Sequence, residues 1–294
     1  MFYRRKVILA LIQLLNGEVE KLRLQKLLFL CAMGSQTPQY DFVPYKYGCY
    51  SFSAQADLNT MVKKGFLKEN DHLYQKNDPT DYFCLLKTED RSLLQKTLNT
   101  YGEMDNKGLI RHTYINFPFY SINSTIVSEV LSSQLYARVE NATPARSDTI
   151  LFTLGYEGVS LEKYLRKLIE NNVRLLIDVR KNPISMKFGF SKTLLNKYCQ
   201  SLGIKYLHIP EVGIQSDKRK QLETRQDYEH LFNEYRATTL KNTSKSQNYI
   251  IELLAKHERI ALTCFEADHN QCHRSHLADF ICNNSSFNYP IKHL

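Results

Sequence analysis

The chain has 294 residues, 43% of them hydrophobic and 23% charged, and a net charge of +9 at neutral pH. That is an ordinary globular composition, with length enough for two domains of about 100–200 residues each. No run of roughly 18 apolar residues occurs, which excludes a bilayer-spanning helix and predicts no membrane partner.

The opening Met1–Ile12 combines basic and apolar residues as a secretory leader does. Gln13 and Asn16 interrupt the apolar stretch, however, and no small-residue cleavage site follows before Glu18, so an amphipathic first helix is expected. Val7, Leu9, Leu11, Ile12 and Leu15 mark that helix, which ends at Asn16-Gly17. A second runs through Leu22, Leu24, Leu27, Leu28, Leu30 and Cys31 and stops at Gly34. A third, capped by Ser51 or Ser53, carries Leu58, Met61 and Val62 to Gly65. Phe66-Leu67 and His72-Leu73-Tyr74 then read as two short strands turned at Glu69-Asn70-Asp71. Three helices followed by a β-hairpin predict a mainly helical, winged-helix-like N-terminal domain over residues 1–145. The rest of that domain reads as helical, broken at Phe117-Pro118-Phe119-Tyr120. The small, polar segment from Asn141 to Ser147, with its Pro144, is the expected linker.

Gln25-Lys26-Leu27-Leu28-Phe29, followed by Tyr45-Lys46-Tyr47-Gly48-Cys49-Tyr50-Ser51, resembles the start of the Panacea (SocA-like) antitoxin domains, with Cys49 where those carry a proline. The resemblance implies a regulatory or interaction module rather than an enzyme. The bland alternative makes Tyr45, Tyr47 and Tyr50 packing aromatics at a turn. The third helix offers only Lys63 and Lys64 near its end, which is a thin basis for reading a DNA groove, so a protein partner is equally open.

From residue 146 to 294 short Val-, Ile- and Leu-rich runs alternate with helical stretches. Residues 150–154, 173–179, 205–209 and 259–264 read as buried strands, which predicts an α/β domain with a parallel sheet and helices on both faces. Parallel strands connected by crossovers send all their carboxyl ends to one edge, where open α/β sheets bind ligands. That edge is expected to gather Tyr156, Glu157, Asp178, Arg180, Glu211, Glu266, Cys272, His273 and Arg274.

The same residues carry a second resemblance. T-L-G-Y-E-G (Thr153–Gly158), L-I-D-V-R-x-x-P (Leu176–Pro183), G-I-x-Y-x-H-I-P-E-x-G (Gly203–Gly213) and C-F-E-x-x-x-x-x-C-H-R (Cys264–Arg274) look like the family called domain of unknown function 488. Val212-Gly213-Ile214 departs from the more glycine-rich segment often found there. The resemblance implies a fold and a shared site, with no reaction attached.

Cys272-His273-Arg274 falls where the last expected strand turns into the last helix, and a helix N-terminus attracts anions. Arg180 and Arg274 are therefore the expected clamp on a phosphate, aided by Tyr156, Glu157 and Glu211. The same dipole would lower the Cys272 thiol. Glu266 and Asp178 are candidate general bases, and Cys272 and His273 complete the expected catalytic set. Against each stands a structural role: Asp178 as a turn cap, Cys272 as an inert thiol, Arg274 as the partner of Glu266 or Asp178.

A cysteine phosphatase would need an arginine six residues after its cysteine, yet Asn270 and Ala278 stand there after Cys264 and Cys272, so that mechanism is excluded. A rhodanese-like sulfurtransferase would require a glycine-containing cysteine loop that is absent. Cys264, His269, Cys272, His273 and His276 are close in sequence, but their spacing matches no common structural zinc site, so no metal and no cofactor are expected. Seven scattered cysteines predict free thiols and a cytoplasmic setting. Basic residues outnumber acidic ones by 17 to 14 before Ala145 and by 22 to 16 from there on, favouring nucleic acid or another phosphate-bearing partner. The expected function is binding, and hydrolytic or transfer chemistry, on a nucleotide or nucleic acid. The competing expectation is a non-catalytic DNA-binding regulator or antitoxin-type partner that senses a ligand.

Overall fold

The structure is a computed structural model that describes residues 1–144, 148–215, 217, 224–283 and 287–294. The chain divides into two units, Met1–Thr143 and Pro144–Leu294. Residues 145–147 of the expected linker lie outside the described residues. Among the described residues no helix is long and apolar enough to cross a membrane.

The N-terminal unit begins with α1 (Tyr3–Leu14), β1 (Glu18–Glu20) and α2 (Lys21–Met33). A hairpin of β2 (Val43–Tyr45) and β3 (Gly48–Tyr50) leads into α3 (Phe52–Lys63) and a second hairpin, β4 (Leu67–Glu69) and β5 (Leu73–Lys76). β1 pairs antiparallel with β5, so that a small sheet of order β1-β5-β4 joins the helices. Helices α4 (Thr88–Tyr101), α5 (Asn106–Asn116), α6 (Val127–Val130) and α7 (Ser133–Ala142) follow, with a 3₁₀ turn over Pro118–Ser121. Ser51 caps α3 by accepting from the Ala54 amide.

The Gln25-Lys26 pair and the tyrosine-rich turn meet in space. Gln25 exchanges hydrogen bonds with the Ser51 backbone, while buried Lys26 donates to the Tyr47 carbonyl and lies 3.4 Å from the Cys49 sulfur. Gly48 permits this approach. Its φ is +90°, and a Cβ there would stand 2.7 Å from the Lys26 amine and 2.6 Å from the Tyr114 ring.

In the C-terminal unit, β6 (Ile150–Gly155), β7 (Leu175–Asp178), β8 (Lys205–His208), β9 (Arg259–Cys264) and β10 (Ile291–His293) form one sheet of order β10-β6-β9-β7-β8. Every pairing is parallel. The connecting helices are α8 (Leu161–Glu170), α9 (Lys192–Ser201), α10 (Arg225–Tyr235, continued by a π-helical turn to Leu240), α11 (Ser244–His257) and α12 (His273–Cys282). All residues of β7 and β9 are buried, as continuous apolar runs in a parallel sheet require.

Alternation along the strands assigns the two faces. Leu151, Leu175, Ile177, Ile260 and Leu262 pack with Ile250, Leu254, Leu277 and Ile281 of α11 and α12. On the opposite face the Tyr164 hydroxyl of α8 donates to Thr263 at 2.7 Å. Helices therefore cover both sides.

The strand order locates the edge at which open parallel sheets bind ligands. From β6 the chain crosses through α8 toward β7, whereas from neighbouring β9 it departs through α12, on the other face, toward β10. Adjacent strands whose connections leave in opposite directions open a crevice at their carboxyl ends.

Candidate functional site

The carboxyl ends of β6, β7 and β9 enclose a cavity of about 300 Å³ whose wall includes Tyr156, Arg180, Lys181, Ser185, Cys264 and His273. A second hollow of about 190 Å³ shares Lys181 and Ile214 with it and reaches Glu211. Of the residues expected at this edge, Tyr156, Arg180, His273 and Glu211 line these two hollows.

Asp178 closes β7 and is wholly buried. Arg180 binds it bidentately, Nε to Oδ1 at 2.8 Å and Nη2 to Oδ2 at 2.5 Å, and its own amide reaches Oδ1 at 3.1 Å. The remaining Arg180 nitrogen donates to the Tyr156 hydroxyl at 2.7 Å and the Phe190 carbonyl at 2.9 Å. Tyr206 donates to Asp178 Oδ2 at 2.6 Å. Burial by itself would lower the Arg180 guanidinium, but the Asp178 carboxylate outweighs it and holds the group above its usual value. Burial, reinforced by Asp178, raises the Tyr206 phenol, and burial raises Tyr156. The arginine expected to clamp a phosphate is thus committed to an internal ion pair, and Asp178 is a neutralised partner rather than a solvent-facing base. Tyr206, within the Gly203–Gly213 motif, was not among the expected site residues; its signal was its place two residues before His208 on the strand pairing with β7.

Three residues from the end of β9 and the start of α12 converge. His273 Nδ1 lies 3.5 Å from the Cys264 sulfur and 4.0 Å from that of Cys272. The ring's Nε2–H donates to the Val179 carbonyl at 3.1 Å, so in the neutral ring Nδ1 is the lone-pair nitrogen facing the sulfurs. Cys264, Cys272 and His273 are at most 1% exposed. Glu266 is half-buried and accepts from the Cys264 thiol at 3.3 Å.

Cys272 is the N-cap of α12, as the chain order implied. Its thiol nevertheless lies well above its ordinary value, because burial, reinforced by the neighbouring Cys264, outweighs His273. That direction is opposite to the lowering expected of a thiol at a helix N-terminus.

Arg274 also has a different task from the one expected. Its guanidinium is 1% exposed and donates to the carbonyls of Glu266, at 2.5 Å, and Ala267, at 3.0 Å. It ties down the loop after β9, and Glu157 assists by accepting from the Ala267 amide at 3.0 Å. Of the two structural partners weighed for Arg274, Glu266 is the one found, through its backbone.

Gly155 lets this loop close over the end of β6. A Cβ there would come within 1.8 Å of the Glu266 carbonyl oxygen, which is backbone and cannot swing aside. Gly155→Ala is expected to destabilise the C-terminal unit by about 1–3 kcal/mol, read as a lower urea midpoint. An unchanged midpoint would refute the close approach.

His269 and His276, also weighed as metal ligands, turn elsewhere. His269 stacks on His293 at 4.0 Å, and His276 Nδ1 accepts from Arg236 at 2.8 Å.

Residues 160–281 match the family model of a domain of unknown function, DUF488. The match takes in β7, β8 and β9 together with Asp178, Arg180, Tyr206, Cys264, Glu266 and the Cys272-His273-Arg274 start of α12. Thr153–Gly158, which supplies Tyr156 and Gly155, precedes the matched DUF488 region, and β10 follows it. No curated protein matches the chain.

Proposed function

We propose that the DUF488-like domain binds a phosphate-bearing ligand, a nucleotide or nucleic acid, in the crevice at its sheet edge and acts on it, while the N-terminal unit brings it to nucleic acid. The observation that carries this reading is Lys181. It is half-exposed, lies on the wall of both hollows, and its amine has no hydrogen-bond or ion-pair partner among the described residues. Beside it stand Asn182 and Ser185, neutral donors suited to phosphate oxygens. Arg180, spent on Asp178, cannot serve that role, so Lys181 replaces it as the anchoring cation. Exposed Glu211, on the wall of the second hollow, is the carboxylate placed to take a proton from a bound ligand.

The order helix, strand, helix, hairpin, helix, hairpin, with the first strand joined to the second of the last hairpin, supports a winged-helix-like N-terminal module. A second reading, a non-catalytic regulator that binds protein through this module, is favoured by a hollow of about 330 Å³. Tyr45, Tyr47, Tyr50 and Leu22 line it, with the tyrosines that the antitoxin resemblance singled out.

Fluorescence anisotropy with labelled single-stranded DNA and calorimetry with nucleoside triphosphates test the first reading. Lys181→Ala is expected to weaken binding about tenfold, the loss of one charge-assisted contact, with no change in thermal midpoint. Equal affinity in the two proteins would refute it. Binding without turnover, in both wild type and Glu211→Gln, would move the assignment to the regulator.

A further inference from the structure

The geometry points to a soft divalent metal, zinc, held by Cys264 Sγ, Cys272 Sγ, His273 Nδ1 and the Glu266 carboxylate. Such an ion is independent of the ligand proposed for the crevice.

The distances come first. Zinc–sulfur bonds of about 2.3 Å and zinc–nitrogen or –oxygen bonds of about 2.0–2.1 Å, arranged tetrahedrally, put sulfur about 3.8 Å from sulfur and about 3.5–3.6 Å from nitrogen or oxygen. Here Cys264 Sγ lies 3.5 Å from His273 Nδ1 and 3.3 Å from Glu266 Oε2, and Cys272 Sγ lies 4.0 Å from the same nitrogen. The two sulfurs and the nitrogen are all within 4.8 Å of one another. Movements of a few tenths of an ångström bring His273 to zinc spacing from both sulfurs, and Glu266, which touches Cys264 but lies outside that group of three, turns its carboxylate inward to complete the tetrahedron.

The surroundings of the histidine give an independent argument. A metal-binding imidazole needs its other nitrogen occupied by an acceptor that fixes tautomer and ring plane. The Val179 carbonyl at the end of β7 does this for Nε2, and Tyr235 packs edge-on against the ring at 5.7 Å. Nδ1 is thereby aimed at both sulfurs by the sheet rather than by a mobile loop. Cys264 is held equally firmly as the last residue of a fully buried strand, and Cys272 by the first turn of α12.

Two thiolates and an imidazole select zinc or a similarly soft ion over magnesium or calcium, which take oxygen donors. Binding balances simply: each thiol gives up its proton, two protons leave to solvent, and four bonds to the ion form with no change of oxidation state. Spacing hid the site. Cysteines eight positions apart, with the histidine adjacent to the second, follow no ribbon or finger pattern, because β9 and α12 supply the geometry instead.

The test uses the full chain, expressed without a metal-binding tag and purified in buffer free of added metal. Mass spectrometry for metals is expected to find about one zinc per chain, retained by Cys282→Ser, which alters an exposed thiol, and lost from the Cys264→Ser/Cys272→Ser double variant. Because that variant removes two buried side chains and can misfold, the wild-type chain carries a second measurement. Zinc is stripped with a chelator and cobalt(II) added; sulfur-to-cobalt charge-transfer bands with tetrahedral d–d bands are expected, with release of about two protons per ion. A wild-type chain that holds no zinc and gives no such bands would overturn the proposal. So would full zinc in the double serine variant, or a Cys264–Cys272 disulfide in the purified chain. Loss of ligand binding in Lys181→Ala bears on none of these readouts.

Discussion

Asp178→Ala is expected to cost the C-terminal unit about 3–5 kcal/mol, because it strands a buried guanidinium rather than because it removes an attractive contact. Arg180 is 6% exposed and has its Nε and Nη2 on the carboxylate. Without Asp178 those donors have neither protein acceptor nor water, and the Tyr206 hydroxyl loses its acceptor as well. Asp178→Asn keeps one acceptor oxygen and should lose less. The double replacement Asp178→Leu/Arg180→Met removes both charges and should recover most of the loss, since the pair's desolvation nearly cancels its attraction. Urea unfolding of the four proteins checks this. If Asp178 were instead a solvent-facing general base, Asp178→Ala would unfold at the wild-type midpoint and lose only activity.

The same pair shows how far a sequence can be read. That Asp178 and Arg180 lie at the carboxyl edge of the sheet follows from their place after a continuous apolar run, and the parallel sheet puts them there. That they consume one another does not follow, because residues two apart at a strand end can face each other or the solvent with equal ease. β6, β7 and β9 were legible since burial on both faces demands unbroken apolar runs. β1 and β10 were not: each is three residues with one apolar side chain, Val19 or Ile291, and gains its identity from pairing with Tyr74 or Phe152 and their neighbours. The β2–β3 hairpin was read only as a tyrosine-rich turn, because two strands of three residues leave little pattern. Cys264 escaped the expected catalytic set for the opposite reason. As the last residue of an apolar strand it reads as core, and only the return of α12 to the same strand end gives its sulfur a second role.

Arg274→Ala is the replacement whose outcome separates the loop-tying role from the anion clamp most sharply. The guanidinium donates to the Glu266 and Ala267 carbonyls, beside the point where Gly155 admits the loop. Truncation empties the largest part of a 1% exposed side chain and leaves two carbonyls without donors. A lost large side chain and an unmet polar group together cost about 3–4 kcal/mol. The loss should be uneven. Amide exchange is expected to rise at residues 266–272 far more than along β7 or β8, since the loop can open while the sheet keeps its pairing. Arg274→Lys reaches one carbonyl at best and should fall between. An arginine kept for binding anions would behave in the reverse way, with Arg274→Ala as stable as wild type, exchange unchanged in the loop, and affinity for phosphate compounds lost. The loop also carries Glu266 and leads into Cys272, so its loosening should release zinc as well. Metal content measured on Arg274→Ala should therefore fall in step with the rise in exchange.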